Sequence, residues 1–299
     1  MVRQNRWRIM RRISSASKIL ALIEKYKAEG KSVGFTPTMG ALHAGHHSLI
    51  NLSKAQNDVT VCSIFVIPTQ FNNADDLTKY PRTVETDCAG LEEIGCDIVF
   101  LPTTEEIYPG GEEEFAVDID LEGLDTRMEG EHRPGHFAGV VQVVKRLLDI
   151  VPASRLYMGQ KDYQQFTIIR HMIKVLEMET ELVVCPIVRE GDGLAMSSRN
   201  ARLTARHRQK ASIIHKTLRK AKQSIHTDSI GSITADAISS MDIPGFEPEY
   251  FTIINGHTLE TIESIDGVNE VVACTAVWAG EVRLIDNMRL IVEEGTSTT

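Results

Sequence analysis

The decapeptide PTMGALHAGH, Pro37 to His46, places Gly40, His43, Gly45 and His46 directly after the apolar run Ser32 to Phe35. Imidazoles three apart at a helix start share one face of the first turn. There, unpaired backbone N–H groups and the positive end of the helix dipole favour an anion. Gly40 and Gly45 let a ligand approach the backbone closely, and a nucleotide phosphate is the obvious anion. Two plainer readings fit the same residues: histidines that only cap a helix, or a metal cluster of His43, His46 and His47. The metal reading is the weaker, because adjacent His46 and His47 diverge around a helix and no Cys or carboxylate lies nearby in sequence.

Two further stretches point the same way. GQKDYQQ, Gly159 to Gln165, follows the strand-like RLYM and opens a helix, so Gly159, Lys161 and Asp162 should project from the carboxyl edge of a sheet, where doubly wound folds bind ligands. Lys161 could hold a phosphate and Gln165 could recognise a polar substrate; alternatively Asp162 is an N-cap and the rest a solvated first turn. DGLAMSSRN, Asp192 to Asn200, supplies Ser197, Ser198 and Arg199, hydroxyls and a guanidinium suited to a polyphosphate, or else an N-cap followed by a surface arginine. Neither G-x-x-x-x-G-K-[ST] nor G-x-G-x-x-G occurs, so a nucleotide site here is of another type.

The elements that must position these residues alternate along the chain. SVGFT, DVTVCSIFV, DIVFLP, RLYMG and ELVVCPIV are short apolar runs without clean alternation, as expected of parallel strands covered on both faces. Between them run helical patterns, among them ISSASKILALIEKYKAEG, Thr83 to Ile94 and HFAGVVQVVKRLLDIV. This rhythm predicts an α/β fold, a doubly wound parallel sheet. Towards the C-terminus it changes: one long basic helix, TARHRQKASIIHKTLRKAKQSI, a second helical stretch, and three strands without intervening helices. We therefore expect a Rossmann-like domain over residues 1–195 and a smaller α+β domain with an antiparallel sheet over 196–299.

Composition narrows the function. The chain has 299 residues and a net charge of -9, from 41 acidic and 32 basic residues, which argues against a nucleic-acid surface yet permits a basic pocket for a small anion. Its 5 cysteines form no C-x-x-C pair, and the expected compartment is a reducing cytoplasm. No run approaches the ~18 apolar residues of a membrane span. The Arg-rich start ahead of Met10 reads as a short extension.

PTMGALHAGH, FVIPTQFNN, YPRT, RPGHFAGVVQVV, GQKDYQQ, DGLAMSSRN and the late RLIDN, in this order, resemble the pantothenate synthetase (pantoate–beta-alanine ligase) family. It is a branch of the nucleotidyltransferase superfamily that shares H-x-G-H with class I aminoacyl-tRNA synthetases. The resemblance covers nearly the whole chain from Met10 and implies a cytoplasmic homodimer that joins (R)-pantoate and β-alanine. It would use ATP and Mg²⁺, pass through a pantoyl-adenylate and release AMP and pyrophosphate. It further implies that Met39, Gly40, His43, Gly45 and His46 lie along ATP, with His46 as catalytic proton donor and His43 beside the phosphates. Gly159, Lys161 and Asp162 match another ATP-binding stretch, Val188 flanks the nucleotide, and Met196, Ser197, Ser198 and Arg199 match a loop that closes over the phosphates. Gln70 and Gln165 correspond to pantoate-binding glutamines, and Asp87 is a possible metal contact; direct Mg²⁺ ligands are not implied. Three positions depart from the family pattern: Ile67 stands where Asn is common, Gln160 where Glu is frequent, and His47 where an apolar residue is usual. Two other functions stay open at this level: an adenylate former such as an aminoacyl-tRNA synthetase, which the net charge and the lack of an anticodon-binding domain disfavour, and a weakened paralogue, suggested only by Ile67.

Overall fold

The computed structural model describes residues 9–66 and 80–292. These form two compact units, one from Met1–Leu121, Arg133–Gly159 and Ile168–Cys185, the other from Glu122–His132, Gln160–Thr167 and Pro186–Thr299, as far as those ranges are described.

The first unit is built on a six-stranded, all-parallel sheet of β1 (Arg11–Ile13), β2 (Val33–Thr38), β3 (Val59–Ile64), β4 (Ile98–Phe100), β5 (Arg155–Gly159) and β6 (Glu181–Cys185), in the order β1-β4-β3-β2-β5-β6. Every residue of β3 is buried, as expected for a strand covered on both faces. The crossovers include α1 (Ala16–Ala28), α2 (Ala44–Gln56), α3 (Val84–Glu93), α4 (His136–Ile150) and α5 (Tyr163–Val175). Helix α4 lays Phe137, Val140, Val144, Leu147 and Leu148 on its buried side, the stripe that its sequence period predicts. The sheet is doubly wound and Rossmann-like, as expected.

Strand β1 is the element the sequence reading did not anticipate. Its residues are two arginines and an isoleucine, and they become a strand only by pairing with β4. Met10 just before it is buried beside Ile50, Cys62, Cys88, Leu91 and Val99, so the stretch from Met10 belongs to the core of the unit.

The second unit carries a three-stranded antiparallel sheet, β7 (Phe246–Asn255), β8 (Glu270–Ala279) and β9 (Val282–Val292), in the order β7-β8-β9. The single basic helix expected near residue 210 is instead two, α6 (Ala205–Lys210) and α7 (Ile213–Ser224), followed by α8 (Ile230–Met241). The interruption falls at Ala211 and Ser212, both buried. The buried residues of α7, Ile214, Leu218 and Ala221, join a core with Ile233, Phe251 and Val271, while the ring of His207 on α6 meets Phe246 edge-on at 5.8 Å.

An ionic network also crosses this sheet. The Arg283 guanidinium donates to Glu129 at 2.6 and 2.9 Å and to Glu249 at 2.9 Å, while Tyr250 Oη donates to Glu129 at 2.8 Å and Trp278 Nε1 to Glu249 at 3.0 Å. Burial pushes the Glu249 carboxyl up, but the Arg283 and Trp278 hydrogen bonds outweigh it and hold the group below the usual carboxylate range.

All five cysteines are buried and free. Among the described residues no helix is long and apolar enough to cross a membrane.

Candidate active site

Strand β2 pairs with β3 on one side and β5 on the other, and the winding of the sheet reverses between β2 and β5. Doubly wound sheets bind ligands outside the carboxyl ends of the strands at such a switch point. PTMGALHAGH leaves from the end of β2, and GQKDYQQ begins at Gly159, the last residue of β5.

After β2 the backbone turns through Gly40 at φ +85° and Ala41 at φ +50°. A Cβ on Gly40 would press on Ile64 at 3.0 Å and Asp87 at 3.2 Å, so glycine is required by both space and conformation. Ala41 has no such freedom, and a non-glycine residue held in this region costs on the order of 1 kcal/mol or more. What holds it is Asp87, in the first turn of α3. Its Oδ2 accepts from Ala41 N at 2.9 Å and its Oδ1 from Leu42 N at 2.8 Å, while Thr83 Oγ1 lies 3.2 Å from both oxygens. The sequence reading gave Asp87 only as a possible metal contact; the structure places its buried carboxylate on the main chain ahead of the histidines.

His43 is the N-cap of α2, and its Nδ1 accepts from Gly45 N at 3.1 Å; the Nδ1 of His46 accepts from His43 N at 3.3 Å. The two rings are 4.1 Å apart between centroids and tilted by 41°. The capping expected of these residues is present, and it engages the Nδ1 of each ring. An imidazole that accepts through Nδ1 while neutral carries its hydrogen on Nε2, a tautomer assigned here from the hydrogen bonds. Each ring is thus fixed as an Nε2–H donor. His47 takes a different direction: its ring lies where a Cβ on Gly90 of α3 would meet it at 3.3 Å. That removes the three-histidine metal cluster, and no group of three or more His, Cys, Asp or Glu among the described residues is arranged to hold a metal ion.

In the second unit, Lys161 and Asp162 precede α5, with Lys161 Nζ 3.7 Å from Asp162 Oδ1. The two glutamines of GQKDYQQ separate cleanly. Gln164 is buried and saturated: Nε2 donates to Leu124 O and Arg127 O, each at 2.7 Å, and Oε1 accepts from Glu129 N at 3.0 Å. Gln165 is half-buried on the first turn and remains the candidate for substrate. Gln70 and Ile67 lie outside the described residues.

The stretch from Val188 to Arg199 is more ordered than its polar composition suggests. Met196 N donates to Val188 O at 3.0 Å, Glu190 N to Leu194 O at 2.8 Å and Gly193 N to Glu190 O at 2.9 Å, and Leu194 and Ala195 are buried. Gly193, at φ +98°, turns directly over the His215 ring, which a Cβ would strike. Burial and the nearby Arg189 charge push the His215 pKa below its ordinary value. Ser197 caps the short turn Ser198–Arg202 by accepting from Arg199 N at 3.3 Å. The structure thus gathers Met39, Gly40, His43, Gly45 and His46 into one segment of the first unit. Lys161, Asp162, Val188, Met196, Ser197, Ser198 and Arg199 fall in the second.

Two groups were missed by sequence reasoning. One is the clamping role of Asp87. The other is the pair Asp286 and Asn287 within RLIDN; the signal available in the sequence is two consecutive polar residues within a largely apolar strand.

A doubly wound parallel sheet with H-x-G-H opening the helix after its switch-point strand, and a separate small antiparallel sheet, define the class: a Rossmann-like α/β protein. Comparison with known proteins narrows this. The family model for pantoate-beta-alanine ligase matches residues 8–289. Pantothenate synthetase of Bacteroides fragilis is 46% identical over 283 residues, 94% of this chain and 99% of that protein, and that of Bacteroides thetaiotaomicron matches to the same extent. The crystal structure of pantothenate synthetase from Thermus thermophilus superposes with a TM-score of 0.87 at 36% identity, covering 94% of this chain and 100% of that one. The Francisella tularensis ligase, complexed with beta-gamma ATP and beta-alanine, gives 0.77 at 34% identity over 94% and 98%. The chain belongs to the pantoate–beta-alanine ligase family.

Proposed function

We propose that this chain carries out the family's condensation of pantoate with β-alanine by fixing donors, rather than a strong base, around the phosphates of ATP. A carboxylate is a poor electrophile toward an amine, so it first attacks the α-phosphorus. The bond to pyrophosphate breaks, and a pantoyl-adenylate forms. The amine of β-alanine then attacks the acyl carbon, loses a proton, and AMP departs. Negative charge grows on phosphoryl oxygens in the first step, and preorganised donors aimed at that charge are worth most in the transition state.

The observation that carries the assignment is the histidine pair, capped on its own helix with both Nδ1 atoms engaged as acceptors, which makes each Nε2 a donor. We assign the Nε2–H of His46 as hydrogen-bond donor to the leaving phosphoryl oxygens and His43 as its partner beside them. Lys161, Ser197, Ser198 and Arg199 supply further donors, Met39, Gly40, Gly45, Gly159, Asp162, Val188 and Met196 line the nucleotide, and Gln165 with Gln70 binds pantoate. In functional terms residues 1–195 bind ATP and pantoate, and the smaller region 196–299 contributes the loop. Mg²⁺ would enter on the nucleotide and neutralise phosphate charge, held mainly by phosphate and water.

ATP–pyrophosphate exchange run with pantoate, with amino acids and with neither tests this reading. Exchange with pantoate alone is expected; exchange driven by an amino acid would favour the synthetase alternative, and none at all a weakened paralogue. We further propose a cytoplasmic homodimer, for which light scattering should return twice the 33.3 kDa chain mass.

A further inference from the structure

Asp286 and Asn287 sit in β9, an edge strand whose buried neighbours Val282, Leu284 and Leu290 are apolar. Asp and Asn are poor strand formers, and burying them is costly unless every polar atom is paired. Both are nevertheless buried, at 4% and 2% exposure. Such a local violation marks a position kept for another purpose.

Their hydrogen bonds show the purpose. The Asn287 amide donates to two successive main-chain carbonyls, Gln160 O and Lys161 O, each at 2.9 Å, and its Oδ1 accepts from Gln160 Nε2 at 3.1 Å. Two donors on one rigid amide bound to consecutive carbonyls fix the backbone at the residue from which the Lys161 side chain departs. Asp286 binds the Arg189 guanidinium in bidentate fashion at 2.6 and 3.0 Å and also accepts from Asn287 N at 2.8 Å. Arg189 Nη1 continues to Gly193 O at 3.1 Å, and its Nη2 reaches Asn287 O at 3.4 Å. Successive residues of a strand face opposite sides, so two adjacent residues can hold two different segments.

We propose that Asp286 and Asn287 are positioning residues for adenylate formation: Asn287 sets the backbone that aims Lys161, and Asp286, through Arg189, sets the turn that leads into Met196 to Arg199. The proposal rests on the assignment of Lys161 to the phosphates made above. It also accounts for Gln160, whose side-chain amide supplies the third bond of the cluster.

The test is a double-mutant cycle in the full-length enzyme, with single-turnover formation of pantoyl-adenylate measured for Asn287→Ala, Lys161→Ala and the double variant at equal folded fraction. Asn287→Ala is expected to lower the rate about 10- to 100-fold with little change in KM for β-alanine, and to lower it less than about threefold further once Lys161 is already alanine. A loss of the same size in both backgrounds, or an unchanged rate in folded Asn287→Ala, overturns the positioning role. Should Lys161→Ala alone leave the rate unchanged, the phosphate assignment of Lys161 falls first and the proposal falls with it. Gln160→Ala removes one bond only and serves where Asn287→Ala folds poorly; a several-fold loss coupled to Lys161 is expected, and an additive loss overturns the claim. For the second arm, Asp286→Asn should speed hydrogen exchange at Gly193 and Leu194 while leaving the amides of β8 protected. Unchanged protection at the turn overturns it.

Discussion

In the first unit His43 and His46 cap the helix that carries them, each Nδ1 taking a main-chain N–H from within three residues. In the second, the main chain at Lys161 is held by an amide 126 residues further along the chain. The histidine device is local: its geometry persists wherever the turn and helix form, with Asp87 as the distant group that steadies it. The lysine device is long-range and exists only when β9 is in place. Perturbations should therefore part the two. Loosening the antiparallel sheet should cost donor alignment at Lys161 while leaving the histidine pair intact, and removing Asp87 should do the reverse.

The largest expected effects come from the donors themselves. His46→Ala and Lys161→Ala should each lower kcat for adenylate formation by ~10²-fold or more with thermal stability nearly unchanged; single-turnover kinetics and melting curves measured together would show it. Equal destabilisation and rate loss would erase the contrast between site and scaffold. Next comes Asp87→Ala, which strips the acceptor from Ala41 N and Leu42 N at once. With two part-buried donors left unpaired at ~1 to 3 kcal/mol each, a stability loss of about 2 to 6 kcal/mol, nearer the lower end because water reaches both, should appear in chemical denaturation. The Mg²⁺ concentration for half-activation in Asp87→Asn should stay close to that of the parent. A large shift in that constant would turn Asp87 from a clamp into a metal ligand.

A smaller effect is expected at Ile67, the position at which the resemblance to the family implies Asn. If that Asn bonds substrate, restoring it should gain ~1 to 3 kcal/mol of binding, and Ile67→Asn should raise kcat/KM for pantoate by about one to two orders of magnitude, with ATP affinity little altered. An Asn variant no faster than the parent refutes the handicap. The mildest effect concerns acid. Glu249 has its folded pKa held below the unfolded value of ~4.3, so it contributes stability that is present above that value and lost as pH falls through the lower folded one. Urea denaturation between pH 6 and pH 3 should show a steeper fall for the parent than for Glu249→Gln.

What the sequence disclosed follows the same division. PTMGALHAGH was legible because its glycines, cap and paired imidazoles all act within ten residues, and the inner strands were legible because burial on both faces leaves an unbroken apolar run. Strand β1 was not, since Arg11, Arg12 and Ile13 have no strand character apart from their partner Ile98–Phe100. The break at Ala211 and Ser212 was hidden for a similar reason: the residues favour helix and only packing divides them. A linear reading divides the chain once, here after residue 195. That residues 122–132 and 160–167 pack with the later unit has no linear signal, because it rests on pairings such as Gln164 with Leu124 and Arg127, and Asn287 with Lys161.

Asn287 also sets a schedule. A chain made from its N-terminus has everything that shapes the histidine turn once Asp87 has emerged, but the amide that pins Lys161 is added 126 residues after it. At ~5 to 20 residues per second that delay is roughly 6 to 25 s. Stalled nascent chains ending before Asp286 should fail to exchange pyrophosphate, whereas chains released after β9 should exchange it.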